Sequence, residues 1–200
     1  LTRRRGGEAQ LVARALLSRG IPVTTAAEVN VCDFFEARLL IDWLSFLDNG
    51  QQDIPFATAR LSAVGGLTEA DLTRVRLAPE GKTGSFREAC AAFCSAHPAD
   101  PTAKKLQAFF RMAEELRAHS RVRTAAEVMN ELLALGLEAQ IAARPGGGSR
   151  LARVRRLVAE GADVSVNAFL SRLKATGYFL GFAESGGEDS VKIVTMHASK

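Results

Sequence analysis

Apolar residues recur at helical spacing along most of this chain, and alternate with polar ones only near its two ends. Glu8 to Arg19 carries Leu11, Val12, Ala15 and Leu16 on one predicted face, and Gly20 follows as a residue suited to end the helix. Ile21-Pro22-Val23 then reads as a short strand. Asp33 is a candidate cap for a helix to about Asp48, with Leu39, Leu40, Trp43, Leu44 and Leu47 as its stripe and Asn49-Gly50 as its stop. Asp53 and Pro55 open another short helix, and Thr68 heads a further one. Ser85 with Glu88 and Thr124 with Glu127 have the spacing of capping boxes. Between them, Thr102 to His119 places Leu106, Phe109, Phe110, Ala113 and Leu116 at helical intervals. Gly136 interrupts the next helix, Pro145-Gly146-Gly147-Gly148 makes a break, and Arg150 to Glu160 and Ser165 to Thr176 complete the set. Gly186-Gly187 separates this body from Ser190 to Val194, whose alternation predicts a strand.

Strand-like segments at the two ends with helices between them predict a mainly α fold: a helical domain inserted into a parallel-sheet domain. No fixed-period repeat is present. The 200 residues suffice for one domain, or a domain with a small satellite, and for a real core. The chain begins at Leu1 without a Met, which reads as a fragment. With 47% hydrophobic and 24% charged residues the composition is that of a soluble globular protein, with no apolar run long enough for a membrane span and no visible signal peptide.

A net charge of only +4 means that any nucleic-acid contact must come from local clusters. Three cysteines, an odd number, argue for a reducing compartment and against a disulfide framework. Cys90, Cys94 and His97 begin a zinc-like pattern, yet a closed site wants four ligands and Cys32 is remote; the alternative is small apolar residues on a helix face.

Thr195, His197 and Lys200 follow the last strand, at the edge where open α/β sheets bind ligands. A hydroxyl, an imidazole and an amine suit phosphate there; the alternative is an ordinary solvated strand end. Arg3, Arg4 and Arg5 form a basic run near the N-terminus. Arg144, Arg150, Arg153, Arg155 and Arg156 fall within thirteen residues that contain no carboxylate. Leu151, Val154, Leu157 and Val158 form the apolar face of that helix, which predicts Arg153 and Arg156 on adjacent outward positions. Free N–H groups of Gly146 to Ser149 and the helix dipole also favour an anion, the alternative being a solvated basic face. Trp43, Phe46, Phe109, Phe110 and Phe169 sit at core spacing and are assigned to packing; His97 and His119 end helices and are assigned no chemistry.

The closing run Thr195-Met196-His197-Ala198-Ser199-Lys200 resembles motif V of superfamily-one DNA helicases of the UvrD and RecB/AddA type, Thr-x-His-x-x-Lys, which normally continues Gly-Leu-Glu. Leu1-Thr2-Arg3, the following helix and Gly20-Ile21-Pro22-Val23 resemble a strand–helix–strand of the second motor domain. Phe34-Phe35-Glu36, then Asp53-Ile54-Pro55-Phe56 and Gly66-Leu67-Thr68, are similar to further family stretches. Arg144-Pro145-Gly146-Gly147 with Arg150-Leu151-Ala152-Arg153-Val154 looks like a turn and helix of the AddA branch. These matches cover nearly the whole chain in order, and motif V is the sharpest of them.

The resemblance implies a RecA-like motor-domain flank over residues 1–32, a helical 2B-type insertion over 33–184, and a returning motor strand over 185–200. It implies a fragment of a bacterial, cytoplasmic, ATP-dependent helicase–exonuclease subunit that works in double-strand-break repair and recombination. Single-stranded DNA would meet Thr195, His197 and Lys200, duplex at a junction would meet Arg150, Arg153 and Arg156, and Arg3 would lie in the nucleotide cleft. Expected partners are DNA and a second helicase–nuclease subunit. ATP and Mg belong to the parent, with no cofactor and no metal in the fragment, which lacks Gly-x-x-x-x-Gly-Lys-Ser/Thr and is expected to be inactive alone. A UvrD/PcrA/Rep-like helicase without nuclease, and a helical interaction module that does not bind DNA, stand as alternatives.

Overall fold

The computed structural model describes residues 7–25, 28–79, 82, 84–182 and 189–194. In chain order they form α1 (Gly7–Ser18), β1 (Val23–Thr25), β2 (Val29–Asn30), a 3-10 turn (Val31–Asp33), α2 (Phe35–Asp48), α3 (Asp53–Leu61), α4 (Glu69–Leu77) and α5 (Phe86–Ala96). There follow α6 (Pro101–Ser120), α7 (Ala125–Leu132), a π segment (Leu133–Leu137), α8 (Glu138–Ala142), α9 (Gly147–Ala159), α10 (Val166–Ala175), β3 (Gly181–Phe182) and β4 (Val191–Ile193). The fold is mainly α, as expected. No helix among the described residues is long and apolar enough to cross a membrane.

The chain divides into two compact units, one from Leu1–Arg38, Glu138–Leu157 and Ser171–Lys200, the other from Leu39–Leu137 and Val158–Leu170. In the first, β1 and β4 pair in parallel, with Val23 opposite Val191 and Thr25 opposite Ile193. Pro22 O accepts from Val191 N at 2.9 Å, and the Thr24 and Ser190 hydroxyls meet at 2.7 Å. Parallel neighbours need a crossover, and here everything from α2 to α10 lies between them in sequence. β2 and β3 form a separate antiparallel pair.

Helix α1 ends in a Schellman turn: Ile21 N donates to Leu16 O and Gly20 N to Leu17 O, with Gly20 at φ +80°. Its buried residues are Ala9, Ala13 and Leu17, whereas Leu11 and Val12 are exposed, which corrects the predicted face. Apolar residues occur nearly all round this helix, so periodicity alone does not select the side that packs. Asp33 does not cap α2 either. Its carboxylate accepts from Arg14 Nη1 at 3.0 Å and Asn30 Nδ2 at 3.2 Å.

The second unit is built on the expected stripe of α2: Leu39, Leu40, Trp43, Leu44 and Leu47 are all buried. Trp43 and Phe46 join Phe56 and Phe109 in a cluster with ring centroids 5.5–6.1 Å apart, spacing that favours offset and edge contacts. The packing role assigned to Trp43, Phe46, Phe109 and Phe169 is therefore observed. Arg117 donates to Phe46 O and Leu47 O, satisfying carbonyls at the end of α2. Capping boxes form at Ser85–Glu88 and Thr124–Glu127 as expected, and a third at Thr68–Asp71. Cys90 receives a hydrogen bond from Arg60 Nη1, and Cys94 Sγ donates to Ala103 O at 3.6 Å, so both thiols sit within the helical packing.

Candidate nucleic-acid interface

Glu36 lies in the first turn of α2, on the same face as Leu39, Leu40 and Trp43, and its side chain is completely buried. A buried carboxylate is tolerable only with compensating cations and hydrogen bonds. Two guanidiniums from α9 supply them. Arg150 Nη1 donates to Glu36 Oε2 and Arg153 Nε to Glu36 Oε1, each at 2.7 Å.

Arg150 continues outward from this pair. Its Nε donates to Pro145 O at 2.9 Å, and its Nη2 to Ser18 O at 2.6 Å, the carbonyl of the last residue of α1. One side chain thus joins α2, α9, the loop before α9 and the end of α1. Arg153 also stacks over the Phe34 ring at 4.2 Å. Beside the network, Gly20 and Gly146 meet backbone to backbone. A Cβ on Gly20 would stand 2.5 Å from the Pro145 carbonyl carbon, and one on Gly146 2.5 Å from Gly20 Cα.

These positions correct the predicted α9. The helix starts at Gly147, inside the predicted break, and its buried residues are Arg150, Arg153, Val154 and Leu157. Arg153 is only 2% exposed, so it is not on an outward face. The reason is Glu36, which makes a guanidinium the best neighbour on that side. Arg155 and Arg156 are exposed, and Arg156 Nη2 donates to Gly181 O at 3.3 Å. Thr195, His197, Lys200 and Arg3 lie outside the described residues.

Glu36 is the residue that the sequence reading passed over. The signal was present: a lone carboxylate on the apolar stripe of a helix has to find a cation. What it could not reveal was which cation, 114 residues away.

Two stretches that matched the helicase pattern loosely, Phe34-Phe35-Glu36 and Arg150 to Val154, therefore meet in one buried network. The chain is 30% identical over 201 residues to the AddA-type ATP-dependent helicase/nuclease subunit of Bacillus pumilus, covering 92% of the chain and 16% of that protein. With the subunit of the same name from Heliobacterium modesticaldum it is 29% identical over 221 residues, covering 100% and 16%. With that from Syntrophomonas wolfei it is 29% identical over 216 residues, covering 100% and 17%.

The chain is homologous to a segment of the AddA helicase/nuclease subunit.

It spans about one sixth of the length of these curated relatives. No family model matches it. The similarity to AddA runs through α1, α2 and α9, the elements joined by Glu36 and Arg150.

Proposed function

We propose that this chain is the part of a bacterial ATP-dependent helicase/nuclease subunit in which a helical insertion interrupts the second motor domain. The observation that carries this reading is the parallel pairing of β1 with β4. Two adjacent strands of one sheet, separated in sequence by a helical body, are what an insertion into an α/β motor leaves behind. The relatives' name supports helicase and nuclease activity in the parent, in the cytoplasm, on DNA ends during double-strand-break repair and recombination.

In this reading the insertion runs from about residue 33 to 184, and residues 1–32 and 185–200 belong to a RecA-like motor domain. The insertion guides duplex DNA or contacts a second subunit, which the word subunit in the relatives' name favours. ATP and Mg act in the parent's motor, with Arg3 in the nucleotide cleft. Thr195, His197 and Lys200, beyond the C-terminal end of β4, hold single strand through phosphate. Arg156 contributes an exposed charge to a duplex junction, while Arg150 and Arg153 serve that surface by fixing the helix and loop that carry it.

The test has two arms. The intact protein carrying this chain should unwind a blunt duplex only with ATP and Mg; no unwinding sinks the helicase reading. Fluorescence anisotropy of the 200-residue chain with single-stranded, blunt and forked DNA should show binding that weakens steeply with salt. Absence of binding at low salt would favour a subunit-docking module, for which the exposed apolar residues Leu77 and Val122 give some support.

A further inference from the structure

The first unit contains a cleft of about 700 Å³ between α1, the start of α2 and the loop before α9. Its lining has an unusual balance. Among the described residues it includes Arg14, Arg19, Arg38, Arg144 and Arg150 against one carboxylate, Asp33. The whole chain carries only +4, so five arginines around one cleft are a local concentration of charge.

Arg150 is committed to Glu36 at the back, but the other four are exposed. Arg14 keeps 48% of its side-chain surface open even while paired with Asp33. The Arg144 guanidinium lies flat against Phe35, 3.6 Å from the ring centroid, and that ring is itself 36% exposed. A solvent-facing phenyl ring stacked with an arginine at the mouth of a cationic cleft is a stacking platform.

We propose that this cleft binds a stretch of single-stranded nucleic acid, with phosphates on Arg14, Arg19 and Arg38 and an unpaired base stacked on the Phe35–Arg144 platform. The arginines explain why the ligand is a polyanion. The platform explains why it is single-stranded, because a duplex keeps its base faces covered. A mononucleotide or free phosphate meets the same groups one at a time, whereas a strand engages several together. The inference rests on the reading that this chain handles DNA, and it assigns that contact to residues other than Thr195, His197, Lys200 and Arg156.

The experiment is anisotropy of labelled oligothymidylate with the 200-residue chain, with Phe35→Ala, and with the double variant Arg38→Glu/Arg144→Glu. Both altered arginines are exposed, and circular dichroism confirms the fold of each variant. The charge reversal should weaken binding at least tenfold and flatten the slope of log affinity against log salt by about 0.7 for each phosphate no longer neutralised. Phe35→Ala should weaken binding about tenfold with little change in slope. A strand with abasic residues should bind the native chain correspondingly less well, and this difference should vanish in Phe35→Ala. Excess inorganic phosphate or thymidine triphosphate should compete weakly; full competition at equimolar amounts overturns the strand in favour of a small-anion site. If the native chain binds oligothymidylate and the charge reversal leaves affinity unchanged, the cleft is the wrong place while the DNA reading stands. No binding by the native chain overturns the cleft as well, leaving the helicase reading to the unwinding measurement on the intact protein. Tighter binding of an acidic peptide than of oligothymidylate also overturns it.

Discussion

Arg150 and Glu36 meet at 2.7 Å with side chains 6% and 0% exposed, although 114 residues separate them in the chain. The pair turns a carboxylate on an apolar helix face and an arginine inside a basic run into one structural joint. Its value lies less in net stabilisation than in the cost of breaking it, since desolvating two ions offsets much of their attraction.

Removing Glu36 is therefore expected to be severe. Glu36→Ala leaves Arg150 and Arg153 buried without their carboxylate, and should cost about 3–5 kcal/mol in urea denaturation followed by circular dichroism. A loss below about 1 kcal/mol, the range of ordinary surface changes, would falsify the account of Glu36 as the centre of the unit.

Gly20→Ala should destabilise for two reasons that add. The residue sits at φ +80°, and its new methyl would press on the Pro145 carbonyl carbon. Backbone strain alone costs roughly 1 kcal/mol, so the total should exceed that and lower the melting temperature by several degrees. Gly66→Ala, at φ +66° with nothing near the new methyl, isolates the strain and should cost less. Equal losses at the two glycines would contradict the close approach.

Asp71 sets an acid limit. Burial by itself would raise its pKa, but hydrogen bonds from Thr68, Lys105 and Thr102 outweigh this and hold the carboxyl well below the usual range. A depressed folded pKa means that the unfolded chain takes up the proton first. The contribution is full above the unfolded value of about 4 and is lost as pH falls from there through the folded value. The stability gap between the native chain and Asp71→Asn should accordingly narrow below about pH 4; a gap constant with pH would show that Asp71 acts without its charge.

Cys32 sets an alkaline limit of the opposite sign. Burial first, and the neighbouring Asp33 carboxylate second, push its thiol up to about 11 from an ordinary 9.0. The folded chain holds this proton more tightly, so the contribution is present below pH 9.0 and lost as pH rises towards about 11. Cys32 should resist a thiol-specific disulfide reagent at pH 8 until denaturant is added. Rapid labelling in the folded chain would refute its burial.

Much of the fold was legible locally, because helix ends are decided by residues three or four positions apart. Ser85 with Glu88 and Thr124 with Glu127 satisfy each other's backbone without reference to the rest of the chain, and both helices begin where those pairs stand. The stripe from Leu39 to Leu47 was equally plain, since its large side chains occupy one side only. Helix α1 was not, because Leu11 and Ala13 are both apolar and only the approach of Gly20 to Gly146 accompanies burial on the alanine side.

The candidate site divides in the same way. The sequence by itself determined the helix boundaries, the two terminal strand segments, the concentration of arginines after residue 144, and the family resemblance in Phe34-Phe35-Glu36 and Arg150 to Val154. Only the tertiary structure decided that Arg153 turns inward while Arg144 lies against Phe35 at the mouth of a cleft, and that β1 lies beside β4. The physical reason is range. Capping and periodicity act within a few residues, whereas a buried charge and an unpaired strand edge are satisfied by whatever partner the folded chain brings from far along the sequence.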